Sequence, residues 1–337
     1  MFDKIASMLT PEKKKEIQDR YQAEEIKPLV VTIMGQTGVG KSSLINSLFE
    51  ISLETHDFKP CTKEPERHIS KTDDGFELWF WDMPGIGESS EADLRYIEMY
   101  KEKIKQSDIL LWAIHADSRS VSFDVNCLRG LLDSMGVDER VNFFSKITFV
   151  LTKADTIVMD PWLAQIDDGF AVFVPSEQTQ SLLDAKADYF AEQLIDPFHE
   201  FLRVSTFIKE PSETDGVCQE GSNLQFLKRR AIYKGRLTKE NHDRLKREYP
   251  NLSSILSRLL KNSSVAYCSS RIRFNLPKLM TMIADKIEGP ASARFKHFVG
   301  STKMNSVSIN KVKNFSNLIV VKGDNSEIVF DINAVNL

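Results

Sequence analysis

The sequence predicts a three-layer α/β fold with a mostly parallel central sheet, and three observations carry that expectation. LVVTIM (29–34) reads as a buried strand, and a glycine-rich turn separates it from a helix over 41–49. FELWFWD (76–82), DILLWAIHA (108–116) and KITFVLT (146–152) repeat the apolar, strand-like run. Helical stretches at about 91–106 and 121–135 lie between them, giving the alternation of strand and helix.

Thr10 followed by Pro11 marks an N-cap and first helical position, so a charged leading helix is expected over 11–25. Residues 50–65 form a polar loop containing Pro60 and Pro65. ERHISKT (66–72) and FELWFWD pair as a hairpin around Asp73, Asp74 and Gly75. Beyond Asp155, a helix is expected over 177–203, a polar loop within 204–223 and a locally basic helical stretch over 224–262. VAYC (265–268) reads as a last core strand, and 275–287 as a last helix with Pro277 near its start. LIVVKGDNSEIVF (318–330) reads as a hairpin with a Gly-Asp-Asn turn. The segment 156–268 far exceeds the roughly 30 residues that one helix, one strand and their loops need. A largely helical insertion is therefore expected at about 196–262, within a domain spanning 28–290. Residues 1–27 and 291–337 are read as an N-terminal helical extension and a C-terminal extension.

With 337 residues, 42% of them hydrophobic and 27% charged, the chain has material for a sizeable core. A net charge of −4 gives no chain-wide case for nucleic acid. The four cysteines, Cys61, Cys127, Cys218 and Cys268, have no paired spacing, which argues against zinc or a disulfide framework. The first residues lack the apolar core of a signal peptide, and no run is long enough to span a membrane. A cytoplasmic protein is expected.

GQTGVGKS (35–42) matches G-x-x-x-x-G-K-[ST], the P-loop. Successive N–H groups across Gly35, Gln36, Thr37, Gly38, Val39 and Gly40, with Ser43 just beyond, would wrap nucleotide phosphates at a helix N-terminus. Lys41 would reach the β- and γ-phosphates, and Ser42 would ligate Mg²⁺. FWDMPGIGES (80–89) puts Asp82 at a strand end, where an acidic residue holds Mg²⁺, and Gly85 would offer its N–H to the γ-phosphate. TKAD (152–155) supplies a third element at a strand end: Asp155 can accept from the N1–H and amine of guanine, a donor pair that adenine lacks. Lys153 would lay its stem along the base. The expected ligands are GTP and GDP with Mg²⁺.

On these residues the chain resembles the Era-like branch of translation-factor-type (TRAFAC) GTPases, with a Ras-like G domain, and within it the bacterial and prophage YfjP/YeeP-type subgroup. The likeness covers about 29–195 and 263–288, through GQTGVGKSSLINSLF, PCTKEPERH, WDMPGIGES, DILLWAIHADSRS and LTKAD. It implies that Thr62 is the switch threonine that closes on Mg²⁺, and that Ser269 and Ser270 support the base through backbone contacts. The chain departs from the family at three positions. Ile86 stands where Ras-like enzymes carry the water-positioning glutamine, which implies slow hydrolysis. Gly38 replaces the asparagine of potassium-activated relatives, and Thr152 replaces the usual asparagine of the base motif.

A Mg²⁺-dependent nucleotide switch is thus expected, with Lys41, Thr62 and Gly85 in catalytic roles. The alternative is a GTP-dependent assembly module, a homodimer through the nucleotide face, whose turnover is incidental. A ribosomal, RNA or protein effector is the expected output of the switch. The basic stretch around Lys228–Arg247 is interspersed with acids and reads first as a solvated face. The six histidines lack metal-ligand spacing and are read as surface or strand residues, while Trp79, Trp81 and Trp112 are read as core.

Overall fold

Every residue of β1 (Leu29–Met34) is buried, which a strand attains only when both faces of its sheet are covered. The computed structural model describes residues 10–13, 15–16, 28–49, 65–71, 77–84, 90–119, 121–157, 160–167, 169–209, 223–227, 229–287, 295, 306–312, 318–322 and 327–329. After β1 come α1 (Lys41–Phe49), β2 (Glu66–Lys71), β3 (Glu77–Asp82), α2 (Ser90–Gln106), β4 (Ile109–His115), α3 (Ser122–Asp133), α4 (Val137–Lys146) and β5 (Ile147–Thr152). β6 (Trp162–Asp167), β7 (Phe170–Val174), α5 (Glu177–Leu194), β8 (Arg203–Phe207), β9 (Leu224–Leu227) and β10 (Arg230–Lys234) follow. The chain continues through α6 (Lys239–Glu248), α7 (Ser253–Asn262), β11 (Ala266–Tyr267) and α8 (Leu276–Lys286) to β12 (Ser306–Ser308), β13 (Leu318–Lys322) and β14 (Glu327–Val329).

The main sheet has the order β11-β5-β4-β1-β3-β2, parallel throughout except where β2 pairs antiparallel with β3. Alternation along β4 sorts the two covering layers. Leu110, Trp112 and Ile114 join a core built with α2, α3 and α4 (Tyr100, Leu128, Phe143), while Leu111 and Ala113 meet α1 and α8 through Leu44, Leu48 and Met280. The three-layer α/β expectation holds in the described residues. Trp112 is buried, but Trp79 and Trp81 are only half-buried, with Lys103 lying over the Trp81 ring at 4.0 Å.

Beyond β5 the chain differs from the sequence reading. The β6–β7 hairpin lies in a stretch for which no strand is expected, and it forms a second sheet of order β12-β7-β6-β13-β14. The expected hairpin at 318–330 is present as β13 and β14, and β13 runs parallel to β6, so a sheet crosses the boundary drawn at 290. The inner residues Trp162, Ala164, Ile166, Ala171 and Phe173 join the Trp112 core, which is why this hairpin stays attached.

The segment 196–262 mixes strand and helix, with three strands ahead of its two α-helices, rather than being largely helical. Its strands form a three-stranded sheet, β8-β10-β9, and helix begins only at Lys239. In RAIYK, Ala231 and Tyr233 turn inward with period two, and this alternation outweighs the density of basic side chains that reads as helix. Part of the basic stretch is also turned inward: Arg236 pairs with Asp188 and Asp196, both at 2.9 Å, and Arg230 bonds Ser205 and the Asp285 carbonyl. His242, read as a surface or strand residue, is buried on α6 with Nδ1 at 2.9 Å from Asp243. The extension over 11–25 is helical at 11–13 and 15–16, and its remainder lies outside the described residues. Among the described residues no helix is long and apolar enough to cross a membrane.

Candidate functional site

The parallel strands β1, β3, β4, β5 and β11 all end on one edge of the main sheet, the edge where open α/β sheets hold ligands. At the end of β1, Gly35 has φ +134°, and a Cβ there would sit 2.1 Å from the Ala113 carbonyl oxygen of β4. A side chain at 35 would therefore force the two central strands apart. Gly40, at φ +91°, hands the loop on to α1 in a conformation that other residues adopt only with strain. The ammonium of Lys41 is folded over the loop, donating to the carbonyls of Gly35 and Gln36, each at 3.2 Å.

Ser42 and Asp82 come from elements 40 residues apart, yet the Ser42 hydroxyl donates to Asp82 Oδ2 at 2.7 Å. The parallel pairing of β1 with β3 brings them together. Buried Asp82 and the serine hydroxyl make a pair of hard oxygen donors, a set that suits Mg²⁺. Thr62, Gly85 and Ile86 lie outside the described residues.

On the other side of the loop, a pocket of about 460 Å³ is lined by Gly40, Ser43, Lys153, Asp155, Ser269 and Ser270, among others. Lys153 takes a left-handed conformation, φ 54°, and opens a short 3-10 turn that carries Asp155. Its ammonium donates to the Gly38 carbonyl at 2.9 Å. The buried Thr152 hydroxyl lies 2.5 Å from the Val39 carbonyl and 3.1 Å from that of Ile114. The base motif is thus bonded directly to the phosphate loop. His115 ends the neighbouring strand, and burial, with the charge of Lys153, lowers its pKa.

Asp155 and Ser269 are 114 residues apart, yet the Ser269 hydroxyl donates to Asp155 Oδ1 at 2.5 Å. The arrangement follows from β11 pairing with β5: Cys268 N–H donates to the Leu151 carbonyl, and Ala154 N–H to that of Cys268. The resemblance implies backbone support at this position, whereas Ser269 reaches Asp155 through its side chain. Ser270 lines the pocket, and its carbonyl lies 3.5 Å from the Ser47 hydroxyl. Burial pushes the neighbouring Cys268 thiol up to about 12, which leaves it unreactive.

Several residues at this site escape the sequence reading. Asn46 and Ser47 line the pocket, and Ser47 follows Ser43 by one helical turn, a spacing that could have been read. Arg271 Nη1 stands 3.7 Å from Asp155 Oδ2, with no sequence signal for it. Gln36 Nε2 donates to Asp124 Oδ2 at 2.8 Å, a partner on α3 that no motif marks. Among the described residues no three His, Cys, Asp or Glu side chains gather as a metal cluster.

Residues 30–146 match the model of the 50S ribosome-binding GTPase family. The uncharacterized proteins YkfA and YfjP of Escherichia coli are each 35% identical, over 127 and 128 residues, covering 37% of this chain and 42% of theirs. Translocase of chloroplast 34 of Arabidopsis thaliana is 30% identical over 149 residues, 43% of this chain and 46% of that one. The chain thus spans less than half the length of these curated relatives. Among solved structures, Toc33 from Arabidopsis thaliana in complex with Mg²⁺ and GMPPNP aligns at 21% identity and a TM-score of 0.37, over 54% of this chain and 68% of that one.

Proposed function

We propose that this chain, whose residues 30–146 carry the module of the 50S ribosome-binding GTPase family, binds GTP and GDP with Mg²⁺ and hydrolyses GTP slowly as a switch. One observation supports this best: Ser42 meets Asp82 and Ser269 meets Asp155 on one edge of one parallel sheet, on either side of the phosphate loop. In this reading the loop N–H groups and Lys41 hold the β- and γ-phosphates, and Lys41 exchanges its carbonyl partners for phosphate oxygens. Mg²⁺, when bound, supplies charge neutralisation at the transferred phosphoryl group, and Ser42, Asp82 and Thr62 would hold it. Asp155, with one oxygen fixed by Ser269, offers the other to the paired donors of guanine.

Catalysis in this scheme is positioning and electrostatics, with Gly85 offering its N–H to the γ-phosphate. Ile86 cannot orient water, so turnover is slow. Thr62 and Gly85 would close on GTP and release on hydrolysis, switching an RNA or protein effector. The nucleotide unit is 28–290, preceded by an extension at 1–27, and 291–337 adds strands to the sheet built on β6 and β7. Ile86 also favours a second reading, a homodimer in which the partner supplies the missing group; turnover per molecule rising with protein concentration would distinguish it.

The test is calorimetric titration of nucleotide-free protein with GDP, a non-hydrolysable GTP analogue and the matching ATP analogue, in Mg²⁺. Guanine-only binding is expected, lost in Lys41→Ala and redirected to xanthine nucleotide in Asp155→Asn. Equal binding of the adenine analogue would refute the role of Asp155.

A further inference from the structure

We infer that Asp124 is a positioning residue for the nucleotide site: it fixes the Gln36 side chain and so sets the entry of the phosphate loop. The inference rests on the reading that this site binds guanine nucleotide.

Asp124 sits in the first turn of α3, only 1% exposed. Its Oδ2 accepts from Gln36 Nε2 and its Oδ1 from Trp112 Nε1, both at 2.8 Å. Burial raises the pKa of the carboxyl, against the opposing pull of those two hydrogen bonds. Both of these partners are neutral donors, and a buried carboxylate held by neutral donors is costly. Its neighbours on α3, Val125 and Leu128, belong to the large apolar core, where an apolar residue at 124 would bury at no such cost. What an apolar residue could not do is accept the hydrogen bonds of buried Trp112 and of Gln36, and only the second reaches the phosphate loop.

Gln36 follows Gly35 directly, and its own carbonyl is one of the two on which Lys41 rests. The far side of the loop is held elsewhere, with Val39 bonded by Thr152 and Gly38 by Lys153. Asp124 therefore supplies the anchor at the near end, tying the loop to α3 and, through buried Trp112, to β4. A loop held at both ends presents its N–H groups in place before the ligand arrives, which lowers the ordering cost of binding.

The geometry dictates an unusual variant series. Asp124→Asn should be tolerated, because the Gln36 amide can turn its carbonyl to the new amide while Trp112 keeps its oxygen acceptor. Gln36→Glu sets two carboxylates against each other and should weaken binding about tenfold or more, the scale of coupling between contacting residues. The exchanged pair, Gln36→Glu with Asp124→Asn, restores one donor and one acceptor and should bring affinity back to within about threefold of the parent. The Kd of Mg²⁺·GDP is measured by calorimetry for the full chain and these three variants, with urea unfolding in the absence of nucleotide run in parallel. Recovery of affinity in the exchanged pair is the expected result. Additive losses in that pair, or a Gln36→Glu protein that binds GDP as the parent does, would overturn the role of Asp124. If Gln36→Glu does not fold, Asp124→Leu is measured alone and on Gln36→Leu, where its loss of GDP affinity should be smaller than on the parent; an equal loss on both would overturn the role of Asp124. A parent protein that binds no guanine nucleotide would instead overturn the underlying reading, and this inference with it.

Discussion

Thr152 stands where the resemblance puts an asparagine, and its hydroxyl shows what that position does in this chain. It lies within donating distance of the Val39 and Ile114 carbonyls, bridging β5 to the phosphate loop and to β4. Thr152→Val keeps the shape and removes the donor, so unfolding free energy measured in urea should fall by about 1–3 kcal/mol, the cost of stranding a buried acceptor. Mg²⁺·GDP affinity should fall with it. The residues legible in the sequence at this scale, Lys41, Ser42, Asp82 and Asp155, are those for which phosphate, metal and base chemistry demand one residue type at one spacing. Asp124 was illegible because its partner is 88 residues away, and only the packing of α3 against β4 brings the two together. Arg271 was illegible for the same reason, since its approach to Asp155 depends on β11 joining β5.

At the scale of elements, β1, β4 and β5 were readable because burial on both faces writes a continuous apolar run, and β2 and β3 were readable as a hairpin. α4 lies beyond the helix read at 121–135, and of the strands after β5 only β11, β13 and β14 were legible, while β6 to β10 and β12 were missed. β6 and β7 are the clearest case, flanked by β13 and β12 from the C-terminal region. A two-stranded ribbon is marginal in water, and the added strands make it a five-stranded sheet. Truncation after residue 305 should therefore strip hydrogen-exchange protection from Trp162–Asp167 by about tenfold or more, while β1, β4 and β5 keep theirs. Peptide-level exchange mass spectrometry reads both regions in one experiment, and unchanged protection in β6 would refute the dependence.

Across the whole molecule, the core that covers the main sheet also encloses charge. The Lys286 ammonium on α8 donates to the Ile147 carbonyl, and burial lowers its pKa to about 7 from the ordinary 10.5. Between those values the unfolded chain holds a proton that the folded chain lacks, so this group makes stability rise with pH from about 7 towards 10.5. Lys286→Met should be more stable than the parent near pH 7, and the gap should narrow as pH rises; urea midpoints at three pH values would test the sign. The second sheet carries a consequence of another kind. Leu163 pairs with Ile319 in parallel, so the strand beside β6 is made long after β6 itself. At about 5–20 residues per second, a ribosome would add it roughly 8–30 s later. Throughout that interval one edge of β6, only ten residues or so beyond the base motif, is open to pairing with the wrong strand. The nascent chain therefore has a timed vulnerability beside its own ligand site, and translation speed between β6 and β13 becomes a variable in how much of this protein folds correctly.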